Sequence, residues 1–317
     1  MKIVFLDRAT IPSQIQLKKP SFEHTWVEFD FTKPEQVQER IIDADIVITN
    51  KVILNAQNLS QAARLRLIAI SATGVNNVDT AYCKANGIGV ANVQGYATQS
   101  VPEHVIAMLF ALKRNLVGYH QDIEKGEWQK DKQFCFFTHP IQDVAGSTLG
   151  VIGSGGLGQA TASLAKAICM NVLFSERKGA SICRKGYLPF EELLQQSDVI
   201  TLHCPLNEET HHLIGKDELL MMKRSAVLIN AGRGNLVHEQ ALVDALQSGE
   251  IAGAGVDVFS EEPADKSNPL LANSHLPNLI LTPHVAWGSD SAIQALSDIL
   301  IDNLNSFMRD ERLNRVV

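Results

Sequence analysis

Three polar residues in the second half of the chain each follow an apolar, strand-like run, and their types suit chemistry on a small acid. Arg233 lies in Ile229-Asn230-Ala231-Gly232-Arg233-Gly234, Glu262 follows Gly255-Val256-Asp257-Val258-Phe259 within Glu261-Glu262-Pro263, and His284 lies in Thr282-Pro283-His284-Val285-Ala286. Reducing a 2-oxo acid needs a cation for the carboxylate and carbonyl, a proton donor at the carbonyl oxygen, and a group that keeps this donor protonated. Arg233 offers a planar donor fork. His284 gives a proton in reduction and takes one in oxidation, and Glu262 favours the imidazolium by its charge and orients the ring. Singly, each has a plain structural reading as a cap, a loop acid or a packed histidine. Their joint order favours chemistry, because open parallel sheets bind ligands at the carboxyl ends of their strands.

A second pattern supplies a partner for that chemistry. Thr148 to Ile152 is a strand-like run leading into Gly153-Ser154-Gly155-Gly156-Leu157-Gly158, and an amphipathic stretch, Gln159 to Cys169, follows. In such a strand-turn-helix unit Gly153 permits the turn, Gly155 lets backbone approach a pyrophosphate, and Gly158 permits close helix-strand packing. The next run, Asn171 to Phe174, leads to Glu176, 18 residues past Gly158, where an acid meets the adenosine ribose hydroxyls. Glu176 favours NAD over NADP, and the adjacent Arg177 and Lys178 weaken that preference by offering cations to a 2'-phosphate.

Around these motifs, short β-rich runs alternate with helical patterns. The runs are Ile3 to Leu6, Ile46 to Thr49, Leu67 to Ser71, Thr148 to Ile152, Asn171 to Phe174, Val199 to His203, Ala226 to Asn230, Ala254 to Val258 and Leu279 to Thr282. The alternation predicts an α/β protein with two Rossmann-like or flavodoxin-like domains, parallel sheets, and a cleft between the domains. Ser100-Val101-Pro102-Glu103 reads as a helix start, with Ser100 as cap and Glu103 at the capping-box position, and the helix runs on to Leu116. A last helix spans Ser289 to Phe307. The expected division is a discontinuous substrate domain, 1–99 with 286–317, and a dinucleotide domain, 100–285.

Composition narrows the class further. The 317 residues, 45% hydrophobic, suffice for two ordinary cores. A net charge of -7 and a pI near 5.8 lack the basic surface that nucleic acid or anionic membrane requires. No apolar run reaches the roughly 20 residues of a membrane span, and four apolar residues between Lys2 and Asp7 are too few for a signal peptide, so the expected location is the cytoplasm. The five cysteines, Cys83, Cys135, Cys169, Cys183 and Cys204, form no CxxC pair and read as reduced, mostly buried thiols. His211-His212 reads as surface rather than as a metal pair, because adjacent residues face differently and no suitably spaced Cys or acid accompanies them. No metal is expected.

Over essentially its full length the chain resembles the D-isomer-specific 2-hydroxyacid dehydrogenase family. The resemblance is carried, in order, by Ala72-Thr73-Gly74-Val75-Asn76-Asn77-Val78-Asp79, Gly150 to Gly158, His203-Cys204-Pro205-Leu206, Asn230 to Gly234, Asp257 to Pro263 and Thr282 to Ala286. It implies that Arg233, Glu262 and His284 are the catalytic triad, and that the backbone of Thr73, Gly74, Val75 and Asn76 touches substrate. It also implies that Cys204, Pro205, Leu206, Ala231 and Asp257, with His284, line the nicotinamide side, and that the chain is a homodimer using 101–116 and 120–146. Thr282 to Trp287, Ser175 to Ala180 and Thr49 to Val52 look like the bacterial glycerate dehydrogenase, or hydroxypyruvate reductase, branch. Trp287, one helical turn past His284, is then a pocket wall and Lys51 a further substrate cation. Glyoxylate or other 2-oxo acid reductases and short phosphoglycerate dehydrogenases are the enzyme alternatives. NAD-sensing corepressors, which share this fold, are the binding-protein alternative, opposed by the absence of low-complexity tails.

Overall fold

All nine apolar runs form strands, with ends within two residues of expectation. The computed structural model describes residues 1–317 and adds three further strands. In chain order they are β1 Lys2–Phe5, β2 Thr25–Glu28, β3 Ile46–Thr49, β4 Leu67–Ile70, β5 Gly89–Ala91, β6 Thr148–Ile152, β7 Asn171–Ser175, β8 Tyr187–Leu188, β9 Val199–Leu202, β10 Val227–Asn230, β11 Gly253–Val256 and β12 Leu279–Leu281. The three that no apolar run announced, β2, β5 and β8, all lie at sheet edges. An edge strand pairs on one side only and stays short, so it needs no continuous apolar stretch. Interior strands β3, β4, β9 and β10 are buried throughout.

The chain divides into two units, Met1–Tyr96 with Gly288–Val317, and Ala97–Trp287. In the first, a parallel sheet has the order β2-β1-β3-β4-β5, the flavodoxin-like arrangement. Its core gathers Val4, Leu6, Val47, Ile68, Ile70 and Val90 with the helices around them. The C-terminal helix, Asp290–Met308, takes Ser289 as its cap, whose side chain accepts from the Ala292 amide, and Asn303 donates to the Asn92 carbonyl at 2.8 Å.

The second unit holds the order β12-β11-β10-β9-β6-β7-β8, again all parallel. Strands run outward in both directions from the β6/β9 boundary, which is the switch point of a doubly wound dinucleotide fold. Helix Ser100–Lys113 lies directly on β11, where a Cβ at Gly255 would come within 2.8 Å of Met108 Sδ. Ser100 does not cap this helix. Gln99 holds the cap position without a side-chain bond, Ser100 is the first helical residue, and its hydroxyl donates to the Ala286 carbonyl at 2.6 Å. Glu103 is therefore one residue too far along for a capping box. The helix also stops at Lys113, and Asn115, at φ 49°, separates it from a second helix, Leu116–Glu124. No helix is long and apolar enough to cross a membrane.

The thiols differ from expectation: Cys83 is buried, Cys204 half-buried, and Cys135, Cys169 and Cys183 are exposed. Cys169 ends a helix at φ 65°, and Cys135 and Cys183 belong to irregular segments, where helix or strand periodicity carries no information about burial.

The sheet's interior dominates stability. Leu228 of β10 is fully buried in the core of the second unit, whereas Leu220 is 52% exposed. Leu228→Ala is expected to cost roughly 2–5 kcal/mol in denaturant unfolding of that unit, and Leu220→Ala within about 0.5 kcal/mol of nothing; equal losses would show that the burial contrast does not govern stability here.

Candidate active site

The glycine turn after β6 has the shape a dinucleotide requires. Gly153 adopts φ 103°, and a Cβ there would fall 2.5 Å from the Cys204 amide nitrogen. At Gly158 a Cβ would collide with the Gly153 carbonyl oxygen, so these two glycines are required by the turn and by helix-strand contact. Gly155 and Gly156 differ, because a Cβ at either would meet no atom within 4 Å. The backbone is thus bare toward an approaching pyrophosphate. Gly155 caps helix Gly156–Ala167, whose first amides, including those of Leu157 and Gly158, have no partner within the helix and lie at its positive dipole end. The residues fit a dinucleotide phosphate.

Gly153 lines a cavity of about 560 Å³ at the switch point, walled also by Ile152 and Ser154, by Ser175, Glu176, Arg177 and Lys178 at and after the end of β7, and by Cys204 and Pro205 after β9. The Arg184 guanidinium, paired with Glu176, holds that carboxyl down to about 2, so Glu176 is ionised at any working pH. Burial pushes the Cys204 thiol up to about 11, which leaves it a neutral wall residue.

Arg233, Glu262 and His284 follow β10, β11 and β12, three consecutive neighbours in the sheet. His284 Nδ1 lies 2.6 Å from Glu262 Oε2, and both side chains stay partly open at 27% and 31% exposure. Glu262 Oε1 accepts from the Phe259 amide at 3.0 Å, which fixes the carboxylate. Arg233 pairs with no acid; its Nη1 donates to the Gly232 carbonyl at 2.8 Å. Asn230 ties the Ala231-containing turn by donating to the Arg233 carbonyl at 2.8 Å and accepting from the Gly232 amide at 3.1 Å.

Asp257 has a role that the motif did not disclose. Its fully buried carboxylate accepts from Thr282 Oγ1 at 2.5 Å, from the Val285 amide at 2.9 Å and from the Ala286 amide at 2.9 Å. It therefore holds the loop that carries His284. His104 joins this cluster with Nε2 3.0 Å from Thr282 Oγ1 and 3.7 Å from Asp257 Oδ1. Trp287 is not on a helix with His284: residues 284–288 are irregular, and the indole Nε1 donates to the His284 carbonyl at 3.0 Å. No sequence signal pointed to these cross-links, since each joins residues remote in the chain or folded back in a loop.

In the first unit, Thr73, Gly74 and Val75 form the loop after β4. Thr73 Oγ1 donates to the Val93 carbonyl at 2.8 Å, and the Gly74 and Val75 amides donate to no protein acceptor. Lys51 follows β3; its amide donates to Asp7 Oδ2 at 2.7 Å and its side chain is exposed at the rim of a cavity of about 690 Å³ within that unit. His211 and His212 do not diverge as adjacent residues of a helix would. His212 takes φ 51°, and the two rings lie 3.9 Å apart between centroids, with His238 4.7 Å from His212.

Next to Cys204, His203 is held neutral: burial pushes its imidazole from the ordinary 6.5 down to about 4. Between those two values the unfolded chain binds a proton that the folded chain does not. Stability should therefore be full above pH 6.5 and fall as the pH drops toward 4. In His203→Gln this part of the stability profile is expected to flatten. Chemical unfolding at several pH values checks it, and a variant profile parallel to the unaltered one would assign the acid loss to other groups.

Residues 106–286, more than half of the chain, match the family described as D-isomer specific 2-hydroxyacid dehydrogenase, NAD binding domain. A glycerate dehydrogenase of Methylorubrum extorquens is 46% identical over 316 residues, covering 99% of this chain and 98% of that protein. A hydroxypyruvate reductase of Blautia hydrogenotrophica is 38% identical over 325 residues, covering 100% and 99%. Among solved structures, a D-lactate dehydrogenase of Aquifex aeolicus complexed with NAD and lactic acid superposes with a TM-score of 0.80 at 27% identity, covering 98% of this chain and 96% of that one. With a bare glycine cradle at the switch point and an arginine, an acid-histidine pair and their supports on adjacent strand ends, the chain belongs to the D-isomer-specific 2-hydroxyacid dehydrogenases, NAD-dependent oxidoreductases.

Proposed function

We propose that this chain is a glycerate dehydrogenase that works as a hydroxypyruvate reductase, with Arg233, Glu262 and His284 as its catalytic residues. The observation that carries the reading is the 2.6 Å pairing of His284 Nδ1 with Glu262 Oε2. The pair orients the ring and leaves Nε2 to give a proton to a carbonyl oxygen or to take one from a hydroxyl. Arg233, uncommitted to any acid, binds the substrate carboxylate and polarises the carbonyl. Bound nicotinamide supplies or accepts the hydride at C2. Gly153, Gly155, Gly156, Leu157 and Gly158 hold the pyrophosphate; Glu176 and Arg177 meet the adenosine end; Cys204, Pro205, Ala231 and Asp257 belong to the nicotinamide side.

Further substrate groups are proposed on each unit. The Gly74 and Val75 amides suit an anionic oxygen, Thr73 shapes their loop, and Lys51 adds a free cation. Trp287, fixed to the His284 carbonyl, supplies an apolar wall. The identity of the substrate as hydroxypyruvate or glycerate draws its support from the relatives named for those activities at 38% and 46% identity. The exposed thiols of Cys135, Cys169 and Cys183 suit a reducing compartment, the cytoplasm. The partner proposed is a second copy: Leu116, Ile123, Trp128, Phe134 and Phe137 expose apolar surface within one stretch, Phe134 at 92% and Phe137 at 78%. Sedimentation velocity is expected to give a dimer that Phe134→Asp with Phe137→Asp converts to monomer; a monomer at the outset would discard the assignment.

Initial rates with NADH and hydroxypyruvate, glyoxylate, pyruvate or 3-phosphohydroxypyruvate test the function, with hydroxypyruvate expected to give the highest kcat/KM. Arg233→Ala is expected to lower kcat/KM by roughly a thousandfold. His284→Ala is expected to lower kcat by about a hundredfold or more while NADH still binds. Preference for another acid would reassign the substrate, and full activity in Arg233→Ala would remove the anchor.

A further inference from the structure

Glu176 directly follows β7 at the rim of the dinucleotide cavity, yet its carboxylate is already occupied. Oε1 accepts from the Arg177 amide at 3.1 Å and from Arg184 Nη2 at 3.0 Å. Oε2 accepts from the Arg184 amide at 3.2 Å and from Arg184 Nε at 2.6 Å. A carboxylate offers about four lone-pair sites, so none remains for a pair of ribose hydroxyls. Arg184 is held on its other face as well, with its guanidinium carbon 3.9 Å from the centre of the Tyr187 ring.

The charges nearby complete the picture. Lys178 Nζ pairs with Glu218 at 2.7 Å. Arg177, exposed at the cavity rim, has no acidic partner. The one other acid lining the cavity, Glu209, belongs to the loop after β9. Glu176 is thus neutralised by Arg184, Lys178 by Glu218, and Arg177 is left as an unbalanced cation. An ionised acid at this position would repel a 2'-phosphate and accept from a 2'-hydroxyl; the same acid locked in a two-pronged arginine pair does neither well.

We propose that Arg184 is the residue that sets cofactor choice in this chain: by occupying Glu176 it removes the acid's discrimination, so that NADPH binds nearly as well as NADH. This rests on the reading of the chain as a nicotinamide-dependent dehydrogenase. Direct binding tests it without turnover, by fluorescence titration of the full-length protein with each reduced dinucleotide. Unaltered protein is expected to show Kd values within about tenfold of each other. Arg184→Ala, and the milder Arg184→Gln, free Glu176 and are expected to widen the NADPH-to-NADH ratio by about tenfold or more. Adding Glu176→Gln to Arg184→Ala is expected to narrow it again. Strong NADH selectivity in the unaltered protein, or equal weakening of both dinucleotides by both Arg184 variants, would overturn the proposal while leaving the dehydrogenase reading intact. Binding of neither dinucleotide by the unaltered protein would overturn both.

Discussion

The carboxylate of Asp257 has no access to water, and the geometry of the proposed catalytic pair depends on how that burial is offset. A buried carboxylate is costly unless hydrogen bonds replace its hydration. Here the replacements are Thr282 Oγ1 and the amides of Val285 and Ala286, all from the segment after β12. Meeting the needs of Asp257 therefore folds that segment back over β11. His284 is carried into a left-handed conformation, φ 55°, which costs a non-glycine residue about 1–2 kcal/mol. Its amide bond to the Asp257 carbonyl, at 2.7 Å, holds it there, and the ring meets Glu262.

Sheet topology does the remaining positioning. In an all-parallel sheet every carboxyl end lies on one edge, so the turns after β6, β9, β10, β11 and β12 share that edge. Neighbouring strands are about 4.8 Å apart, and this spacing brings Arg233, Glu262 and His284 onto adjacent strand ends. The glycine cradle lies at the boundary where strand order reverses, next to β9 and the Cys204-Pro205 turn. Gly153 binds the two turns together sterically, because a side chain there would strike the backbone of His203 and Cys204.

Electrostatics at the adenosine rim follow from a different kind of contact. Glu176 and Arg184 lie on either side of a surface loop, and the β7/β8 pairing brings the arginine back to the acid while Tyr187 of β8 stacks on it. A motif-level reading of an acidic selector thus becomes a neutralised one. The side chains alone do not set the local charge; the edge strand does.

Much of this was legible in the residue order. Doubly covered strands show as continuous apolar runs, and the Gly153 to Gly158 turn is specified locally because only glycine tolerates its backbone and close contacts. Arg233, Glu262 and His284 could be singled out because each lies in the segment that follows an apolar strand run. Edge strands β2, β5 and β8 were not legible, since β5 and β8 span only three and two residues and β2 has polar ends, whereas the apolar edge strand β12 was. Nor were the position of Ser100 inside its helix, the stacking of His211 on His212, the engagement of Asp257 and His104, or the capture of Glu176 by Arg184. Local periodicity and steric demand act within a few residues and are written in the sequence. The partners of buried and charged side chains lie far along the chain, 186 residues apart for Ser100 and Ala286, or across a folded loop, and only tertiary packing chooses among them.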